Sequence, residues 1–557
     1  MPSRSLTVLF LALAWSATAA ADATDPKFSS MDVFALEWAS DPEISPDGTR
    51  VAYVRRSFDI RTDTRRSMIW LVGKDGGDHR PVAGDAGSQS SPRWSPDGSR
   101  LAFVATDTDG SSQIHVHWLE QGVTSRVTNL VDKPSQLAWS PDGRTLAFAM
   151  RVPAKHVPLK VELPEAPEGA NWAEPVQAID RVVYRADGEG FLPSAFQQVF
   201  VVPADGGSAR QLTEGNWDHE DPAWTPDGRE LLVSANRRPD ADLVPADTEI
   251  HTIDLASGSM RALTKRFGPD ASPAVSPDGR HIAYTGFDDR FQGYQRARLY
   301  LMQRDTGEIR ELATELDRDI EHPIWSRNGR SLYVSYDDQG SSRVAEVDLS
   351  GRVTVLVDDL GGEAWSRPYG GGSFSVARDG SIAYSANDAL APADVGLLDD
   401  GKARRLTGVN AELLAQRRLG AVEEIWSTSS VDGRRIQSWL IRPPGGDPSK
   451  KHPLILEIHG GPFQNYGPRF AAELQLYAAA GYAVLYSNPR GSTSYGEEFG
   501  NLIHHAYPGR DYDDLMSAVD AAIAKGGVDE NRLFVTGGSG GGVLTSWIVG
   551  RTERFRA

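Results

Sequence analysis

A five-residue segment returns seven times in the first two-thirds of this chain, and its return narrows the folds available. The copies are Ile44-Ser45-Pro46-Asp47-Gly48, Trp94-Ser95-Pro96-Asp97-Gly98, Trp139-Ser140-Pro141-Asp142-Gly143 and Trp224-Thr225-Pro226-Asp227-Gly228. They continue with Val275-Ser276-Pro277-Asp278-Gly279, Trp325-Ser326-Arg327-Asn328-Gly329 and Val376-Ala377-Arg378-Asp379-Gly380. From copy to copy the second residue advances by 50, 45, 85, 51, 50 and 51 positions. A fixed period of this length points to a propeller or a solenoid. The local chemistry chooses strands. Ser-Pro-Asp-Gly is a type I turn signal, with Pro fixing φ at the second corner and Gly at the fourth. An apolar or aromatic residue precedes the turn, and a β-prone run such as Val51-Ala52-Tyr53-Val54 follows it, which makes a hairpin. A second pair of runs completes each unit, as at Leu299-Tyr300-Leu301-Met302 before Asp305-Thr306-Gly307.

Four strands per unit is the blade of a β-propeller. Seven blades are expected, with the long step read as an insertion around 153–189, where the turn signature is missing; an eighth blade is the alternative. The aromatic residues of the units are expected to pack between blades. The turn aspartates are expected to cap their own backbone, because a calcium loop needs several carboxylates within one short loop.

The repeat ends near Leu406. Residues 407–420 read as a connector, and a new pattern follows. A hairpin is expected over 425–441, turning at Asp432-Gly433. Leu454-Ile455-Leu456-Glu457-Ile458 and Tyr482-Ala483-Val484-Leu485-Tyr486 read as buried central strands. Helices are expected over 470–480 and 512–525, the latter with Asp511, Asp513 and Asp514 at its positive end. Leu533-Phe534-Val535-Thr536 is a further strand, and 543–549 a helix. Strands alternating with helices predict a parallel doubly wound sheet. The domain reading is thus 1–23 a targeting segment, 24–410 an N-terminal β-propeller and 411–557 the N-terminal part of an α/β-hydrolase domain.

Composition excludes several functions. The formal charge of −18 argues against nucleic acid and against an anionic membrane surface as partners. There is no cysteine, so neither disulfides nor thiolate metal sites are available. Arg4, the apolar run 6–15 and the small residues Ala17, Ala19 and Ala21 form a signal peptide too short to span a membrane. The mature protein is expected to be secreted or periplasmic, with no membrane association.

The chemistry centres on Val535-Thr536-Gly537-Gly538-Ser539-Gly540-Gly541. A strand, a glycine-flanked serine and a helix start make the nucleophile elbow of an α/β-hydrolase. Ser539 is the candidate nucleophile. The Gly540 amide, at a helix N-terminus, is one candidate oxyanion donor. A second donor must come from an earlier strand end, and His459-Gly460-Gly461-Pro462 supplies it through the Gly461 amide. His459 is at that loop and is not expected to be the general base. His504 and His505 read as solvated. In this fold the serine is followed by an acid and then a histidine. No Asp or His follows Ser539 in these residues, so the triad partners are expected beyond Ala557 and this stretch alone is expected to be inactive. No cofactor and no metal is called for, and the glycines lack the lysine of a phosphate loop.

These segments, with Asn488-Pro489-Arg490-Gly491-Ser492 and Tyr495-Gly496-Glu497-Glu498-Phe499-Gly500, resemble the prolyl oligopeptidase family of serine peptidases, in its acylaminoacyl-peptidase and dipeptidyl-peptidase 5 branch. The resemblance implies a propeller that covers the catalytic domain and admits short peptides, with Ser539 as nucleophile and Gly540 and Gly461 as oxyanion donors. One departure is Gly540 itself, where the family usually has an aromatic residue. Alternatives are an esterase on the same machinery and a non-catalytic binding protein. Release of dipeptides would need acidic groups for a substrate ammonium; Glu220 and Asp221 are candidates among many.

Overall fold

The computed structural model describes residues 26–557, apart from 85–86, 155–163, 174–178, 180 and 446–449. The segment expected to be a signal peptide and part of the 153–189 insertion lie outside the described residues.

Antiparallel four-stranded meanders follow one another through the first part of the chain. Five are separate sheets. Two more join into one eight-stranded sheet through the single pair Leu360 and Ala386. Each opens on a short inner strand that runs into a repeat turn: Trp38–Ile44, Gln89–Trp94, Ser135–Trp139, His219–Trp224, Asp270–Val275, Glu321–Trp325 and Phe374–Val376. The step of 85 residues falls inside one meander, between strands Thr145–Pro153 and Ala195–Pro203. The ring closes where Ala39 donates to the Ala393 carbonyl at 2.8 Å and Ala39, Val51 and Tyr53 pack on Ala383, Val395 and Leu397.

The repeat turns are closed networks. In the second copy Ser95 Oγ donates to Asp97 at 2.6 Å, the Asp97 carboxylate accepts the Ser99 amide, and Ser95 Oγ accepts the Arg100 amide. The Ser95 bond holds the Asp97 carboxyl down at about 2. Other copies repeat this geometry at Asp47, Asp142, Asp227 and Asp278. These carboxylates do cap their own backbone.

The tryptophan before the turn joins neighbouring units. Trp94 Nε1 donates to the Glu43 carbonyl, Trp139 to Arg93, Trp224 to Ala138 and Trp325 to Ala274, at 2.8–3.1 Å. Each acceptor lies on the inner strand of the preceding unit. A second tie sits on a repeated bulge, where Asp41, Ser91, Gln136, Asp221, Ser272 and His322 take φ of 49–55°. Gln136 accepts the Asp221 amide, and Asp221 in turn accepts the Ser272 amide, both at 3.0 Å.

The rest of the chain builds a five-stranded sheet in the order Val422–Thr428, Arg435–Ile441, Ala483–Asn488, His452–Ile458, Val528–Gly537. The sheet is mixed, with the expected hairpin at one edge and the expected parallel pairing at the other. The first three strands run antiparallel to one another, and only the pairings of His452–Ile458 with its two neighbours are parallel. A tight hairpin cannot join parallel strands, so the Asp432-Gly433 turn dictates that mixed edge. Helices Ala472–Ala479 and Asp511–Ala524 are the crossovers, and Leu515, Val519 and Ala522 bury against Leu454, Leu456 and Val535. The parallel strands end on one side, so the loops after Ile458, Asn488 and Gly537 gather where such sheets bind ligands.

Replacing Trp139 by Phe removes one inter-unit donor and leaves the Arg93 carbonyl without it. The expected loss is about 2 kcal/mol of stability in chemical denaturation. Trp172→Phe, at a residue 48% exposed, is expected to change stability by less than about 0.5 kcal/mol.

Candidate active site

The strand Val528–Gly537 ends beneath the helix Gly540–Val549, and Ser539 joins them with φ 53° and ψ −118°. A non-glycine residue at positive φ is uncommon and costs about 1 kcal/mol or more. Close packing enforces it. A Cβ on Gly541 would overlap the Ile458 carbonyl oxygen and lie 2.9 Å from the His459 carbonyl oxygen. The helix therefore rests on the end of the neighbouring strand, backbone against backbone, and Ser539 is thrust outward into an exposed position.

The His459-Gly460-Gly461 turn stands beside it. A Cβ on Gly460 would lie 3.4 Å from Ser539 Cβ, and one on Gly540 would lie 3.3 Å from the Gly461 amide nitrogen. The three residues singled out in the sequence, Ser539, Gly540 and Gly461, are thus brought together. The same Gly540 position lies 3.2 Å from the Tyr507 hydroxyl, which donates to the Gly540 carbonyl at 2.5 Å. Tyr507 packs against the domain core. Space beside Gly540 is filled from a different part of the chain, which sequence spacing gave no means of finding.

His459 is 4% exposed. Its Nδ1 lies 2.7 Å from the Gly460 carbonyl and its Nε2 2.9 Å from Ser492 Oγ. A carbonyl only accepts, so Nδ1 carries the hydrogen, while Nε2 meets the oxygen of a Ser492 hydroxyl that donates to the Pro489 carbonyl at 2.6 Å. Burial pushes this imidazole down to about 4. Both nitrogens are engaged away from Ser539. His504 is not simply solvated, because its Nδ1 accepts the Gly293 amide at 2.9 Å across the two parts of the chain. Asn488 and Arg490 are scaffolding. Asn488 bonds both backbone groups of Tyr466, and Arg490 makes a buried two-pronged pair with Asp514 at 2.8 and 2.9 Å.

Two propeller side chains that the sequence did not mark also enter the site. The Tyr369 hydroxyl accepts the Gly460 amide at 2.8 Å. Arg367 pairs with Glu457 at 3.4 Å and with Glu473 at 2.9 Å. Glu457, on the central strand, is fully buried, and burial pushes its carboxyl up to about 7 against the pull of Arg367. Nearby, a cavity of about 350 Å³ opens between the two parts of the chain. Asp319, Glu321, Asp337 and Tyr369 line it from the propeller, and Phe463 and Asn465 from the other side. Desolvation lifts the Glu321 carboxyl to about 7, although the side chain is 58% exposed to the open recess. Asp221 is not part of this recess. Its carboxylate is committed to Ser234 and the Ser272 amide within the propeller. Among the described residues no group of three or more side chains is arranged to hold a metal ion.

The family model of the prolyl oligopeptidase family matches residues 468–557, and that of the TolB beta propeller domain matches 36–151. An uncharacterised peptidase of Bacillus subtilis, YuxL, is 33% identical over 543 residues, spanning 94% of this chain and 80% of that protein. The chain belongs to the prolyl oligopeptidase family. Dipeptidyl-peptidase 5 of Porphyromonas gingivalis is 24% identical over 94% of this chain and 76% of its own length. Among solved structures, an acylaminoacyl peptidase of Pyrococcus horikoshii superposes with a TM-score of 0.77 at 21% identity, covering 95% of this chain and 78% of that one. A propeller followed by an α/β-hydrolase domain is the architecture, and a serine peptidase is the enzyme class, of this prolyl oligopeptidase family member.

The neutral His459 carries a pH dependence. Between about 4 and the ordinary histidine value near 6.5, the unfolded chain takes up a proton that the native site refuses. Stability is therefore complete above pH 6.5 and falls as the pH drops toward 4, by up to about 3 kcal/mol. His459→Gln is expected to flatten this part of the acid-unfolding curve, measured by urea titration at a series of pH values.

Proposed function

We propose that this protein cleaves short peptides by acyl transfer to Ser539. The observation that carries the reading is the juxtaposition at the elbow. An exposed serine held at positive φ stands beside two amides, Gly540 and Gly461, that bond no protein group among the described residues. Ser539 Oγ attacks the scissile carbonyl carbon while its proton passes to a base. The carbonyl oxygen becomes an oxyanion between the two amides. Collapse expels the amine, which takes the proton, and leaves an ester on Ser539; water then reverses the sequence. The base must be an imidazole at Ser539 Oγ. His459 is unsuited, because both its nitrogens are engaged away from Ser539 and burial makes it a weak base, and no other described histidine bonds to Ser539. The N-terminal segment supports export to the periplasm or the exterior.

The acid-lined recess favours substrates with a free amino terminus, as in the relatives named dipeptidyl-peptidase, over acylated ones. Asp319, Glu321 and Asp337 line a partly desolvated space in which burial raises the Asp319 and Glu321 carboxyls; an ammonium entering it would draw them to the charged form and be stabilised, and an uncharged acyl cap gains nothing.

A fluorophosphonate probe applied to the protein expressed from its gene is expected to label Ser539. Ser539→Ala is expected to abolish labelling and to lower turnover by about 10,000-fold or more. Labelling that survives this substitution would refute the assignment. For the amino terminus, kcat/KM for a dipeptidyl 4-nitroanilide is expected to exceed that for its N-acetyl counterpart by about tenfold or more, a difference of ~1.4 kcal/mol. A preference for the acetylated substrate would reverse the reading.

A further inference from the structure

Residues 361–373 connect the strand Val353–Leu360 to Phe374–Val376, and on the way they leave the propeller and enter the hydrolase half. Their backbone is fixed there. Tyr369 forms an antiparallel bridge with Tyr466, Gly370 donates to the Asn465 carbonyl at 3.2 Å, and Pro368 accepts the Gly467 amide at 2.9 Å. The rings of Tyr369 and Tyr466 meet with centroids 4.8 Å apart. Two side chains of this segment then reach the elbow from different directions. Tyr369 takes the Gly460 amide. Arg367 lies so close to Gly538 that a Cβ there would be 2.7 Å from the guanidinium.

The His459-Gly460-Gly461 turn offers two amides that could face a substrate carbonyl. An amide that already donates cannot also stabilise an oxyanion. With Gly460 engaged at 2.8 Å, the turn is held in one orientation and the Gly461 amide, next to Gly540, is left available. We propose that Tyr369 is a positioning residue of acyl transfer: by holding the Gly460 amide it aims the Gly461 amide at the oxyanion, so that the chemical step depends on a residue carried by the propeller. This rests on the assignment of Ser539 above. Tyr369 acts through the turn and not on the reacting atoms. Its contribution therefore belongs to kcat, because the oxyanion exists only in the transition state and the tetrahedral intermediate.

Tyr369→Phe keeps the ring packed against Tyr466 and removes the hydroxyl, and with it the acceptor of the Gly460 amide. Loss of a direct oxyanion donor costs about 100- to 1,000-fold in kcat. Misorienting one is expected to cost less, about 10- to 100-fold, with KM for the dipeptidyl 4-nitroanilide within about twofold of the parent. The second-order rate of fluorophosphonate labelling should fall by a similar factor, since the phosphonyl oxygen uses the same amides. Unchanged kcat, or a rise in KM alone, overturns the proposal. If the Phe variant does not fold, 3-fluorotyrosine at 369 preserves the shape and weakens the acceptor. A fall in kcat of about two- to fivefold is then expected, and none overturns the proposal. Labelling of the parent protein separates the two levels. A parent that is not labelled at Ser539 withdraws the serine assignment and this proposal together, whereas a labelled parent with an equally reactive Tyr369→Phe variant withdraws this proposal alone.

Discussion

Backbone contact without an intervening side chain sets the geometry on which the catalytic half depends. Gly541 lets the elbow helix sit on the carbonyl ends of Ile458 and His459, and no larger residue leaves that distance intact. From this contact the other positions follow. Ser539 is forced to positive φ, Gly540 opens the helix beside it, and the turn at Gly460 and Gly461 comes within van der Waals reach of both. Glycine is entropically costly to order, and five glycines cluster at 537–542 around one serine. The cost is offset by the buried sheet and helices around Leu454, Leu456 and Val535, which hold the strand ends in register.

The junction between the two parts is polar, and that shapes what it can do. Arg469 is 2% exposed and donates to the Gly340 carbonyl and to Ser342 Oγ, which bonds Asp337. Arg367, half-buried, pairs with the fully buried Glu457. Pairs of this kind contribute little net stability, because desolvation consumes most of the Coulombic gain, yet breaking one strands a charge in a dry site. An interface held this way specifies one docked arrangement more than it strengthens docking. Side chains such as Tyr369 then arrive at fixed distances from groups almost a hundred residues away. The ring supports this. Its tryptophan donors and bulge amides tie successive units together, so the segment after Leu360 departs from a stiff support.

What the sequence disclosed was local chemistry. Ser-Pro-Asp-Gly closes on itself within six residues, so its turn and the following strand could be read at once. The elbow was legible for the same reason, since a strand, a glycine-flanked serine and a helix start are contiguous. Contacts across the chain were not legible. Nothing near Tyr369 announces that its hydroxyl meets Gly460, and nothing near Tyr507 announces Gly540. The helix expected from residue 470 begins at Ala472, because the Phe470 amide is drawn to the Asp388 carbonyl of the propeller. Asp221 illustrates the converse error. An acid on a propeller strand invites a binding role, but positive φ turns its carboxylate onto the next unit.

Glu457 poses an electrostatic problem that the arrangement resolves. It lies on the strand leading directly into the oxyanion turn, fully buried, with one carboxylate oxygen lacking any hydrogen bond. A negative charge beneath that turn would raise the energy of an oxyanion formed above it, and in a dry site such repulsion is poorly screened. Two features counter it. Burial lifts the carboxyl toward about 7, which lowers its mean charge near neutrality. Arg367 places a guanidinium 3.4 Å from the same carboxyl and immediately beside Gly538. That cation stands between Glu457 and the elbow, so the field at Ser539 is set jointly by a hydrolase acid and a propeller base. An isolated hydrolase half would keep the acid and lose its partner, which makes the propeller an electrostatic component of the site as well as its cover.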